Sequence, residues 1–294
     1  MNKLNKKCSM TDIVIMLVLG VCILIFLYPF IYVVSASLSN PTKIAANPIL
    51  LYPKDFTLDT YKLLMSYDIV WTGYLNSIIY TSVGTTLNVT FTIMAAYSLS
   101  RPVLPGKKFF LIFIMLTMFF GGGLIPTFLV MKSLGLLNTR FAVIFPGMVS
   151  AWNLFLSRAY IQKNIPNELR EATMIDGGGE VVFFRKILLP LSIPIITVIA
   201  LFYGAGHWNS FFSALIYLRD RNLYPLQLIL REILLLSDVQ TDILADASVD
   251  IDSYLATIGI QYAIIVVAIL PLLAAFPFVQ KYFVKGMMIG SLKE

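Results

Sequence analysis

The sequence predicts an all-α membrane protein with six transmembrane helices, and three observations lead there. Of 294 residues, 58% are hydrophobic and only 13% charged, a balance outside the range of ordinary soluble domains. Six apolar runs reach the roughly 20 residues that a bilayer crossing needs. Charged residues collect between these runs, and the basic ones crowd one set of run ends, as the orientation rule for short cytoplasmic loops requires.

The first run, residues 13–37, follows a basic tail, residues 1–12, that carries Lys3, Lys6 and Lys7. A cleaved leader with Val34-Ser35-Ala36 as its processing site competes with this reading, but the run is longer than a signal h-region and fits an uncleaved span. Residues 39–73, with Pro41, Pro48 and Pro53, read as an irregular extracytoplasmic loop. The core, residues 74–284, holds five further spans at 75–98, 109–130, 141–161, 191–218 and 258–278. A loop at 162–190 and an outer loop at 219–257 connect them, and residues 285–294 form a second tail. Six crossings put both tails on one side. Arg101, Lys107, Lys108, Lys281 and Lys285 flank span ends there and make that side the cytoplasm, which places loop 162–190 in the cytoplasm as well. Residues 226–236 are apolar but too short and too charged to span, and a helix lying at the interface or on the outer face fits them.

Several function classes fall away. The net charge of +6 is spread over short loops and tails with no basic face, so nucleic acid is not a partner. Cys8 and Cys22 give no disulfide framework, and His207, the single histidine, gives no metal site. No G-x-x-x-x-G-K-[ST] occurs; Pro105-Gly106-Lys107-Lys108 lacks the first glycine and the hydroxyl residue, so the chain is not itself an ATPase or other enzyme. No span centre carries a carboxylate, which argues against the proton relay of a secondary carrier.

Residues 166–190 stand apart, with Glu168, Arg170, Glu171, Asp176, Glu180, Arg185 and Lys186 packed between nearly uncharged spans. Pro166 opens a helix at no hydrogen-bond cost, and Glu168 and Glu171 sit near the positive end of its dipole. The spacing predicts a short helix over 167–176 with Leu169, Ala172 and Ile175 as a narrow apolar stripe. Gly177, Gly178 and Gly179 permit a sharp turn, and a second helix over 180–189 returns the chain to the bilayer, its junction marked by Pro190 and Pro194. Such an elbow suits insertion into a groove of another protein.

Glu171-Ala172-Thr173, then Gly177, then Ile187-Leu188-Leu189-Pro190 resembles the EAA loop of binding-protein-dependent ABC importers. Asp176-Gly177 and Pro194 resemble the carbohydrate branch, as do Phe120-Gly121-Gly122-Gly123, Leu134-Gly135-Leu136-Leu137-Asn138, Gly206-His207-Trp208-Asn209 and Tyr224-Pro225-Leu226-Gln227. The likeness runs from about residue 28 onward and is nearest the oligosaccharide and aldouronate permeases of the maltose-permease type. Thr173 departs from the pattern by replacing its second alanine, and Gly178 stands where that branch usually has another alanine.

The resemblance implies a type I ABC importer permease fold with a cytoplasmic coupling helix, in a bacterial plasma membrane. It implies that Glu168, Leu169, Glu171, Ala172, Thr173, Ile175, Asp176, Gly177, Leu189 and Pro190 meet an ATPase. The implied partners are a second homologous permease, two ATPase subunits that bind ATP and Mg, and an extracytoplasmic solute-binding protein; this chain itself needs no cofactor. The implied activity is import of a carbohydrate, an oligosaccharide with acidic ones included, by alternating access. A non-sugar solute and a self-sufficient secondary carrier stay open as alternatives.

A solute path needs polar groups inside the bundle, and Asn76, Asn88, Asn153, His207, Asn209 and Ser210 are the candidates. Trp208 beside Asn209 pairs a ring that stacks on a sugar face with an amide that binds hydroxyls.

Overall fold

The structure, a computed structural model, describes residues 10–46, 51–243 and 251–291; of the expected tails at 1–12 and 285–294, residues 1–9 and 292–294 lie outside them. The chain divides into two compact units. One comprises the described residues up to Asp68 with Leu230–Leu270, the other Ile69–Ile229 with the described residues from Pro271 on.

In the first unit α1, Met10–Ser37, is a span-length helix that begins three residues ahead of the expected run. Its side chains are exposed along almost the whole length, Phe26 at 72% for example, which is the pattern of a helix facing lipid. The next stretch corrects the expectation of an irregular loop over 39–73, because it folds α2, Pro41–Ala46, and α3, Asp59–Met65. Pro41 opens α2 where its missing N–H costs nothing. Ser39 Oγ donates to the Ser35 carbonyl at 2.6 Å and accepts from the Lys54 amide at 2.9 Å, so the end of α1 organises the chain that follows.

In the second unit α4, Asp68–Ser100, is 33 residues long. Its buried positions include Gly73, Ser77, Tyr80, Gly84, Asn88, Thr92, Ala96 and Leu99, a face of mostly small and polar residues at helical spacing. Such a face lets neighbouring helices approach closely inside a membrane. The run expected as one span over 109–130 is instead broken into α5, Lys107–Phe119, and α6, Leu124–Ser133, bent by 117°. Gly121-Gly122-Gly123 is the reason: Gly123 adopts φ +82°, outside the helical range, and Pro126 cannot donate in the first turn of α6.

The stretch expected as the fourth span, 141–161, is likewise divided, into α7, Phe141–Ile144, and α8, Ala151–Asn164, around Pro146 and Gly147 at φ +72°. Neither piece alone reaches span length. Next come α9, Asn167–Ile175, and α10, Glu180–Phe183. A π-helical turn, Phe184–Leu188, leads into α11, Leu189–Leu191, and then α12, Ile193–Trp208. The segment Glu180–Leu191 meets α12 at a 75° bend, where Pro190 and Pro194 remove two backbone donors.

Beyond α13, Phe212–Tyr217, the stretch expected as the outer loop forms α14, Leu226–Ile243, and then comes α15, Ile251–Ser291, which runs as helix through the expected span at 258–278 into the second expected tail. Among the described residues, three helices are long and apolar enough to cross a bilayer, or five if each bent pair is one span. The core of the second unit joins Ile93 and Leu99 of α4, Leu154 and Ile161 of α8, Phe183, Leu188, and Ile195 and Ile199 of α12.

Candidate functional site: an exposed elbow and a polar cavity

The elbow follows from its sequence. Pro166 in an extended conformation precedes α9, and the helix ends at Asp176. Gly177 adopts φ +79°, the left-handed conformation that closes helices, while the Gly178 amide donates to the Thr173 carbonyl at 2.8 Å. Thr173 is buried; Leu169, Glu171, Ala172, Asp176 and Gly177 are exposed, as are Glu168 and Pro190, and Leu189 is half-buried. Ile175 is 86% exposed, an extreme value for a large aliphatic side chain on an ordered helix. The stripe of Leu169, Ala172 and Ile175 therefore faces outward beside Glu171.

Thr173 and Gly178, the two positions that depart from the importer pattern, touch each other. A Cβ added at Gly178 would lie 2.8 Å from Thr173 Cγ2, so the threonine methyl occupies the space that an alanine at 178 would need.

On the other side of the elbow, Glu180 gathers charges that the sequence did not reveal as a group. Arg170 donates to its Oε1 from both Nε, at 2.8 Å, and Nη2. Arg101, just after α4, donates to Oε1 at 3.0 Å, and the Tyr97 hydroxyl of α4 donates to Oε2. Chiefly through the bonds from Arg170, the Glu180 carboxyl is held well below the usual range, down to about 2. Beneath it Phe183 is buried in the core, its ring 6.0 Å from that of Tyr97. The end of α4 is tied down too: Arg158 Nε donates to the Leu99 carbonyl at 3.0 Å and Lys107 Nζ to the Arg101 carbonyl at 2.8 Å, cations at the negative helix end. Tyr97 and Arg101 at i and i+4 were the available signal for this cluster.

The polar path candidates separate into two groups. Asn88, Asn153, His207 and Ser210 line one cavity of about 320 Å³ together with Ser150 and Ser213, a lining without a charged side chain. Asn88 is 2% exposed, and its Oδ1 has no hydrogen-bond partner among the described residues. Tyr203 braces the wall, its hydroxyl bonded to Thr92 at 2.8 Å and to the Ser150 amide at 2.9 Å. His207 packs on Gly84, where an added Cβ would lie 2.5 Å from Nε2; only glycine fits there.

The other three candidates lie elsewhere. Asn76 is committed to structure, donating to the Asn222 carbonyl at 2.7 Å and to the Tyr224 carbonyl at 3.2 Å while accepting from Arg140 at 3.3 Å. Trp208 is buried edge-on against Tyr74 and lines a separate, apolar cavity of about 390 Å³. Asn209 is exposed and donates back to the Ala205 carbonyl of its own helix at 2.9 Å. The two therefore do not make a joint sugar contact at the polar cavity. Among the described residues, no group of three or more His, Cys, Asp or Glu is placed to hold a metal.

Residues 98–289, which include the elbow, match the family described as binding-protein-dependent transport system inner membrane component. The chain belongs to that family. Members are permease subunits of the membrane, with ATP hydrolysis carried out by a separate chain. Two relatives from Bacillus subtilis (strain 168) are each 40% identical. Protein LplC aligns over 98% of this chain and 97% of its own length. The polygalacturonan/rhamnogalacturonan transport system permease protein YtcP aligns over 92% and 93%. Among solved structures, a chain of a bacterial ABC transporter involved in the import of the acidic polysaccharide alginate is 31% identical with a TM-score of 0.83, over 96% of this chain and 100% of that one.

Proposed function

We propose that the chain is one of two homologous membrane-spanning subunits of an ATP-driven, binding-protein-dependent importer of an oligosaccharide, with uronic acid oligomers in its range. The observation that carries the reading is α9, whose outward apolar stripe lies beside Glu171 within a permease fold that resembles the alginate importer chain. In this reading α9 is the coupling helix. Leu169, Ala172 and Ile175 seat in a cleft of an ATPase subunit, and Glu168, Glu171, Asp176 and Gly177 complete the contact.

Two ATPases bind ATP and Mg, close on each other, and move the attached helices between outward- and inward-open forms. The chain crosses the bacterial plasma membrane six times, the divided stretches serving as bent spans, with both termini in the cytoplasm. Asn88, Asn153, Ser210 and His207 form part of the passage. Their uncharged donors and acceptors suit sugar hydroxyls, and a buried amide oxygen without a partner gains most from a new one. The names of YtcP and the alginate importer support a polysaccharide-derived cargo.

The test is uptake of labelled oligogalacturonide into proteoliposomes that hold this chain, the partner permease and the ATPases. Uptake is expected only with internal ATP and external binding protein. Uptake by this chain alone would replace the reading with a secondary carrier.

A further inference from the structure

An elbow that transmits motion must be stiff, yet this one turns on Gly177-Gly178-Gly179, three residues with the least intrinsic backbone restraint. We propose that Glu180 is the positioning residue that stiffens it, clamping α9 to the cytoplasmic end of α4 so that the two move as one body. This inference rests on the transport reading above and names the device by which the elbow does its work.

Glu180 is the first residue of α10, directly after the glycines, and Arg170 lies before them on α9; their bonds bridge the flexible turn. The same carboxylate holds the end of α4 through Arg101 and Tyr97. Each oxygen is used: Oε1 accepts from both arginines and Oε2 from the tyrosine. Arg101 also reaches back to the Tyr97 hydroxyl at 3.2 Å, which closes the network. The Arg101 and Arg170 side chains are 19% and 28% exposed and the Glu180 side chain 48%, so the strength of the clamp lies in one carboxylate shared by three partners rather than in burial. With Glu180 neutral, two guanidinium groups would face each other without their common anion. Phe183, one turn on, fixes α10 in the core of α4, α8 and α12, so a clamp on α10 anchors α9 to those helices as well. Gln in place of Glu keeps the size but turns one acceptor into a donor that faces donors.

The test uses the assembled importer in liposomes with spin labels at Val103→Cys, beyond α4, and Asn167→Cys, on α9, both exposed positions outside the contacts argued here. Distances are read with and without a non-hydrolysable ATP analogue. In the otherwise unchanged protein the distance is expected to stay fixed on nucleotide binding. In Glu180→Gln it is expected to broaden and shift by about one helical turn, ~5 Å. Solute moved per ATP is expected to fall about tenfold while ATP hydrolysis stays within about twofold, the size of an ordinary coupling free energy.

Arg170→Lys, a milder change that keeps the charge and loses the paired hydrogen bonds to Oε1, is expected to give an intermediate shift. It also serves as the decisive variant if Glu180→Gln fails to assemble. An unchanged distance and an unchanged transport-to-ATP ratio in whichever of the two assembles would overturn the clamp. Because the distance is read without solute, that failure is distinct from an unchanged protein that moves no sugar, which would overturn the transport reading instead.

Discussion

The elbow and the cavity wall follow opposite rules. On the elbow, apolar side chains such as Ile175 point outward, while Glu180 and the arginines pair with one another beside the core. In the cavity wall, uncharged amides, hydroxyls and an imidazole line the space beside the apolar side chains of Val143 and Phe202. An outward apolar stripe gains free energy only when another protein covers it. A buried amide oxygen without a partner gains it when a hydroxyl arrives. On the proposed function, one region is finished by a stable partner and the other by a passing solute, and substitutions in the two should separate in their effects.

The largest effect expected is at the outward stripe. Glu171→Lys, at an exposed position, should leave the chain in the membrane at normal abundance and lower ATP-driven uptake by about a hundredfold, as a desolvated charge reversal at a contact does. Membrane quantification beside uptake checks both halves. Next, Phe183→Ala removes a ring buried at 2% exposure and should lower the stability of the purified complex by about 3 kcal/mol, seen as a lower unfolding midpoint.

Gly178→Ala forces a Cβ against the Thr173 methyl and, at 3.0 Å, its carbonyl oxygen and should cost about 1–3 kcal/mol, whereas the double variant Thr173→Ala with Gly178→Ala, which removes only the methyl, should recover part of it. A thermal-unfolding double-mutant cycle measures that coupling. Asn88→Ala should raise the KM for uptake about fivefold, the worth of one hydrogen bond, without altering ATP hydrolysis. Smallest of all is the pH effect on the elbow. A depressed carboxyl contributes its stability above its ordinary value and loses it only as pH falls through about 2, so the ratio of transport to hydrolysis should not change through Glu180 between about pH 8 and about pH 5.

What the sequence disclosed depended on distance along the chain. The helix at 167–175 was legible because Pro166 and Gly177, its start and stop signals, are adjacent to it. The break at Gly121–Gly123 was equally local, but an average over apolar residues runs straight through three glycines, so one span was expected where two bent pieces stand. The division of the fourth run at Pro146-Gly147 escapes the same kind of average. Asn76 was beyond reach: its partners at Asn222 and Tyr224 are 146 and 148 residues away, and nothing local separates a structural amide from a path-lining one. The cluster around Glu180 was beyond reach in the same way, because Tyr97 and Arg101 lie 83 and 79 residues before it.

The central claim is that α9 faces the cytoplasm and is covered there by an ATPase. With Cys8 and Cys22 replaced by serine, Ile175→Cys is the direct probe, read with a membrane-impermeant thiol reagent. No labelling is expected in intact cells, strong labelling in inverted vesicles stripped of ATPase, and protection when the ATPase is restored. Labelling from outside the cell, or inverted vesicles in which the ATPase gives no protection, would contradict it.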